Sequence, residues 1–231
     1  MSTYVLVHGA WGGSYGFRKL RPLLRAAGHE VFTPSLTGIG ERSHLTSPQV
    51  SLSTHILDVV NTIRYEDLDD IVLLGFSYGG MVVTGALEHI GDRVRDLVYL
   101  DAFVPGDGDS VSTLRGGGSP AGTELGAPWL IPPLEREYDN PEQAAFSRPR
   151  RTAQPIRTFT EPVRLAKPLE DLPLRLTYIR ATADPDGAAF EAPAQHARTS
   201  PAWNYHEIAT SHLVAENRPQ ELAALLLTLD P

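Results

Sequence analysis

Short apolar runs alternate with helix-periodic segments along most of this 231-residue chain, and that alternation leaves few architectures open. Tyr4 to Val7 is a β-rich run closed by His8-Gly9. Tyr15 to Ala27 carries Phe17, Leu20, Leu23 and Leu24 at helical spacing, with Gly28 as a stop. "HEVFTP" reads as a second strand, and residues 34–50 as a polar loop. Ser53-Thr54 caps a predicted helix through Tyr65, with Ile56, Val59, Val60 and Ile63 on one face. Ile71 to Leu74 is a strand, "YGGMVVTGALEHI" a helix and "RDLVYLDAFVP" a further strand. Later, "LPLRLTYIRAT" is again strand-like. A helix near Ala188 to Arg198, a strand near Trp203 to Ile208 and an amphipathic helix from Glu216 to Leu229 complete the chain. Strands and helices in turn predict an α/β fold: a mostly parallel central sheet flanked by helices.

The pattern breaks between Pro105 and Pro173. Eleven of the nineteen prolines fall there, together with "RGGGSP" and "WLIPPLE". A structureless loop of that length inside a compact domain is implausible, so the segment is expected to form a short inserted cap of small helices and turns. The expected division is a core of residues 1–104 and 174–231 with a cap at 105–173.

Composition narrows the function. A net charge of −8 argues against a phosphate-binding surface, so no nucleic-acid partner is expected. The absence of cysteine removes disulfides, thiolate metal sites and a Cys nucleophile. No apolar run approaches the ~18 residues of a membrane span. The N-terminus enters a strand-like run at once, without a basic or long apolar leader, and a cytoplasmic location is expected.

The chemistry centres on Gly75-Phe76-Ser77-Tyr78-Gly79. A serine between two such glycines, after an apolar strand and before a helix, matches a sharp turn that lifts its hydroxyl above the sheet's carboxyl edge. The pattern G-x-S-x-G alone is common; the strand–turn–helix context gives it weight. A serine hydroxyl is a weak nucleophile near neutrality and needs a base. "YHEIATSHLVAEN" offers His206, inside a strand, and His212, in the loop before the last helix; His212 is preferred on position. A carboxylate must fix the imidazole tautomer. Asp184 and Asp186 follow the penultimate strand and Asp101 ends "LVYLD"; Asp184 is preferred, with the other two open. A developing oxyanion needs two backbone donors, expected from Tyr78 and from the loop "HGAWGG", where Ala10 lets a carbonyl approach. His8 is expected to organise that loop by hydrogen bonding. Trp11, Phe76, Phe103, Trp129 and Leu213 are the pocket candidates, and Arg148, Arg150 and Arg151 read as a solvated cap face.

Taken together, "YVLVHGAWGG", "LLRAAGHEVFTPSLTGIGERSHL", "THILDVVNTI", "LLGFSYGGMV", "LVYLDAFVP", "ATADPDG" and "SHL" resemble the α/β-hydrolase superfamily. More narrowly, they resemble small bacterial esterases related to plant methylesterases and hydroxynitrile lyases. The resemblance implies a Ser77–His212–Asp184 triad, Ala10 and Tyr78 amides as oxyanion donors, no metal or organic cofactor, and hydrolysis of a small or medium apolar ester through an acyl-enzyme. Two positions depart from the pattern. Leu213 stands where the lyases carry a cyanide-stabilising lysine, which argues against cyanohydrin cleavage. Phe76 stands where relatives commonly carry histidine, and its ring cannot donate a hydrogen bond beneath the turn.

Two other classes stay open on sequence. One is a biosynthetic enzyme of the same fold performing cyclisation, elimination or C–C cleavage. The other is a non-catalytic ligand-binding protein, although no member of the expected triad is missing. The expected partner is a small-molecule substrate, and a homodimer remains open.

Overall fold

A computed structural model describes residues 1–117, 127–136, 138–183 and 187–229. Six strands form one sheet: β1 (Thr3–Val7), β2 (Glu30–Phe32), β3 (Ile71–Phe76), β4 (Val94–Leu100), β7 (Arg175–Ala181) and β8 (Trp203–Ile208). Their spatial order is β2-β1-β3-β4-β7-β8, and every pairing is parallel. The expected α/β architecture is therefore present, with a wholly parallel sheet.

The apolar runs are continuous because both sheet faces are covered. On one face Val5, Val7, Leu73 and Leu97 pack with α2 (Leu52–Tyr65), α3 (Gly79–Ile90) and α7 (Glu191–Thr199). On the other, Tyr4, Leu6, Leu74 and Ile179 pack with α1 (Leu20–Ala26) and α9 (Pro219–Thr228). Successive residues of one strand thus enter different cores.

Three boundaries differ from the sequence expectation. The first helix divides into a 3-10 turn at Ser14–Phe17 and α1. The last divides into α8 (Val214–Asn217) and α9, because Pro219 disfavours helical geometry at Arg218, whose φ and ψ are −133° and 52°. Helix α2 starts at Leu52 and is capped by Ser51, whose N–H donates to Thr54 Oγ1 at 3.2 Å. Ser53 is not the cap. Its amide and hydroxyl both donate to Glu161, at 2.9 Å each.

Among the described residues between β4 and β7 the elements are short: α4 (Val111–Leu114), α5 (Pro141–Ser147), α6 (Arg157–Thr160) and a two-stranded antiparallel ribbon of β5 (Leu130–Ile131) and β6 (Gln154–Pro155). Among the described residues, no helix is long and apolar enough to cross a membrane.

Candidate active site

Parallel strands place all their carboxyl ends on one edge, where α/β sheets hold ligands. Ser77 follows β3 at that edge with φ of +56°, the left-handed region that a serine seldom occupies. The turn is held from both sides. The Ser77 amide donates to Leu100 O at 3.2 Å, and its carbonyl accepts from Phe103 N at 3.2 Å and Gly80 N at 3.1 Å. The flanking glycines are needed for close approach. A Cβ on Gly75 would lie 2.7 Å from Gly79 O, and one on Gly79 would lie 2.6 Å from Val7 O. The strained turn predicted from G-x-S-x-G is thus what the backbone adopts.

His212 lies after β8, buried, and lines both clefts that Ser77 lines. Its Nδ1 is 2.6 Å from Asp101 Oδ2. Because an ionised carboxylate only accepts, Nδ1 carries the hydrogen and Nε2 is directed away from Asp101. Phe190 stacks on the imidazole at 5.0 Å and 8°, and the Phe76 ring stands 4.6 Å away at 38°. His206, on β8 beside Ile179, lines neither cleft.

The carboxylate on His212 is therefore that of Asp101, which the sequence ranked below Asp184. Asp184 and Asp186 lie outside the described residues. Strands β4 and β7 are neighbours, so the end of β4 is beside the end of β7. Asp101 has φ of +42°, and its amide donates to Ile179 O at 2.7 Å. Its fully buried carboxylate also accepts from Ala181 N at 3.2 Å and pairs with the Arg180 guanidinium. Arg180 carried no sequence signal, since a single arginine inside a strand suggests nothing about its partner.

Ala10 and Tyr78 both line the second cleft, and among the described residues neither backbone amide donates to a protein acceptor. His8 performs the expected organising role. Its Nδ1 is 2.9 Å from Gly9 O and its Nε2 accepts from Leu36 N at 3.1 Å. Those two partners require one neutral tautomer, and burial lowers the His8 pKa in agreement.

Two clefts meet here and share Ala10, Trp11, Ser77, Arg136 and His212. The first also takes in Phe76, Tyr138, Arg151, Leu213 and Glu216. The second takes in Phe103, Val111, Phe159 and Phe190. Of the pocket candidates, Trp11, Phe76, Phe103 and Leu213 line the site. Trp129 does not. It sits at the start of the β5–β6 ribbon, where its carbonyl accepts from Ile156 N at 2.7 Å. Arg151, expected on a solvated face, reaches the first cleft with its guanidinium 5.7 Å from the Trp11 ring. Phe159 and Arg136 were missed because they lie in the segment without periodicity, and Phe190 because nothing in its predicted helix marked that residue as facing the sheet edge. Among the described residues, no three His, Asp or Glu side chains form a group that could hold a metal ion.

A family model described as "Alpha/beta hydrolase family" matches residues 4–225. The chain is 36% identical to a carbendazim hydrolyzing esterase of Nocardioides sp. (strain SG-4G), covering 99% of this chain and all of that protein. It is 33% identical to methylesterase 1 of Arabidopsis thaliana over 105 residues, which cover 44% of this chain and 40% of that one. An extracellular alpha/beta-hydrolase from a Paenibacillus species superposes with a TM-score of 0.82 at 26% identity, covering 99% of this chain and 98% of that one. That structure is described as sharing homology with tobacco salicylic acid binding protein 2.

Proposed function

The chain belongs to the alpha/beta hydrolase family, and from that premise we propose that it is a serine-dependent carboxylic ester hydrolase. The observation that carries this reading is Ser77, held at φ of +56° in the clefts lined by His212, whose Nδ1 is engaged by Asp101. The full-length similarity to an esterase supports it.

In the proposed reaction Ser77 Oγ attacks the ester carbonyl carbon while His212 Nε2 takes the hydroxyl proton. Asp101 holds the imidazole in the required tautomer and stabilises the imidazolium as it forms. The carbonyl oxygen, now an oxyanion, is held by the Ala10 and Tyr78 amides. His212 returns the proton to the departing alkoxide, and the C–O bond breaks to leave an acyl-Ser77. Water then adds by the same route: His212 takes its proton, the acid is released and Ser77 recovers its hydrogen. In this reading the described residues of 105–173 are assigned to a cap and those of 1–104 and 174–231 to the core. Phe103, Val111, Phe159 and Phe190 favour an apolar substituent on the ester.

Purified protein assayed on p-nitrophenyl acetate, butyrate and octanoate is expected to turn over at least the shorter esters, and a fluorophosphonate to label Ser77. The Ser77→Ala variant should show neither activity nor label. A wild-type protein that hydrolyses none of the three and takes no label would overturn the reading.

A further inference from the structure

Trp11 follows Ala10 in the loop after β1, and its three polar groups all end on the cap. Its amide donates to Gln154 Oε1 at 2.8 Å, its carbonyl accepts from Thr152 N at 3.0 Å, and its indole N–H donates to Ile131 O at 3.1 Å. Ile131 and Gln154 are register partners in the β5–β6 ribbon, so two of these bonds come from one small unit. Trp11 itself has φ of +58°. A bulky residue in that region is strained and persists only where its surroundings enforce it. The core supplies none of these hydrogen-bond partners; the cap supplies all three.

Gln154 also reaches toward the other proposed oxyanion donor. It is fully buried, and its amide NH2 donates to Thr158 Oγ1 at 2.8 Å. Thr158 in turn donates to Pro155 O at 2.7 Å, and the next residue, Phe159, places its ring 5.6 Å from the Tyr78 ring. The Tyr78 hydroxyl is 2.9 Å from His55 Nδ1, and His55 Nε2 is 2.8 Å from Thr37 O. A carbonyl can only accept, so Nε2 carries the hydrogen and Nδ1 accepts from Tyr78. Burial pushes the His55 pKa down to about 3, which keeps the ring neutral and the direction of the chain fixed. One series of contacts therefore runs from the Trp11 amide through Gln154, the Thr158–Phe159 pair of α6 and Tyr78 to α2.

We infer that Gln154 is a positioning residue: by holding the Trp11 amide at one end and bracing the Tyr78 side chain at the other, it sets the spacing of the Ala10 and Tyr78 amides. The oxyanion site is then completed by the cap rather than by the core alone. This rests on the ester-hydrolase reading. A plain structural role for Gln154 predicts lower stability with catalytic constants intact. A positioning role predicts a loss in kcat with binding of the ground state retained.

The test uses the full chain and three substitutions. Gln154→Met removes the acceptor at nearly constant shape, Gln154→Ser removes it while leaving room for water, and Gln154→Glu keeps an acceptor for Trp11. Each folded variant is assayed on p-nitrophenyl butyrate and with a trifluoromethyl ketone. Ser77 Oγ adds to the ketone carbon and passes its proton to His212, leaving a hemiketal oxyanion in the site. The expected result for Met and Ser is a kcat about 10- to 100-fold lower, with KM within about threefold and the ketone Ki raised by the same factor as kcat falls. Glu should recover most of the loss. The inference is overturned if a folded Met or Ser variant keeps wild-type kcat, if KM rises while the ketone Ki is unchanged, or if Glu is as impaired as Met. Should Met fail to fold, Ser decides the matter. A wild type inert to ester and ketone alike instead defeats the ester-hydrolase reading.

Discussion

Asp101 shows how much one residue's surroundings decide. Its carboxylate is fully buried and has three donors around it: the Arg180 guanidinium, the Ala181 amide and the His212 imidazole. The Arg180 pair offsets the desolvation of the charge, which an unpaired buried carboxylate could not survive ionised. Converting Asp101 to Asn keeps the shape but allows the amide to donate toward Nδ1, favouring the unproductive imidazole tautomer. Asp101→Asn is expected to lower kcat for p-nitrophenyl butyrate by about 10⁴-fold, the scale seen when a triad acid is neutralised. The parallel measurement on Asp184→Asn compares the two carboxylates; activity lost in Asp184→Asn and kept in Asp101→Asn would move the acid to Asp184. Phe76 gains a role of its own at this scale. It places an aromatic face 4.6 Å from the His212 ring, packing against the imidazole where a histidine would have offered a hydrogen bond.

Among the elements, the turn between β3 and α3 is the most tightly determined. Its sequence pattern was legible because strand, glycines, serine and helix are contiguous, and local sterics alone demand that order. A Gly79→Ala substitution would drive its Cβ to 2.6 Å from Val7 O and 2.9 Å from His8 O, both backbone atoms of the neighbouring segment. Overpacking of this kind costs about 1–3 kcal/mol. The urea midpoint should fall accordingly, and an unchanged midpoint would show that β1 and α3 separate freely. Helix α2 was legible in its apolar face but not in its cap. Ser51 and Ser53 are equally good capping residues in the sequence, and the choice fell to Ser51 because Ser53 is bonded to Glu161, which follows α6.

Across the whole molecule, two buried histidines link stability to pH. His8 and His55 are both enclosed, and burial holds each below the ordinary imidazole value, His55 at about 3. Between that value and about 6.5 the unfolded chain binds protons that the folded chain does not. Stability is therefore fully present above about pH 6.5 and declines as pH falls, by up to about 1.4 kcal/mol per pH unit for His55, with His8 acting in the same direction. Urea unfolding at intervals from pH 7.5 to 4.5 should show this decline. His55→Gln should be less stable at neutral pH, yet lose less on acidification. An equal slope in both proteins would remove His55 from the account.

The sequence by itself determined the strands and helices of the sheet and its flanks apart from their boundaries, determined the turn bearing Ser77, and singled out His212 over His206 by position. Each of these is written in contiguous residues, where periodicity, turn chemistry and chain order act over a few positions. Only the tertiary structure decided which carboxylate stands on the imidazole, since β4 and β7 are adjacent in the sheet but separated by residues 101–174 in the chain. The same holds for the grip of Gln154, Thr152 and Ile131 on Trp11, for Arg151 in the cleft and for Trp129 outside it. Those contacts depend on how a proline-rich segment without periodicity folds back over the sheet edge. Burial and pairing with distant partners set that geometry, and no local pattern records it.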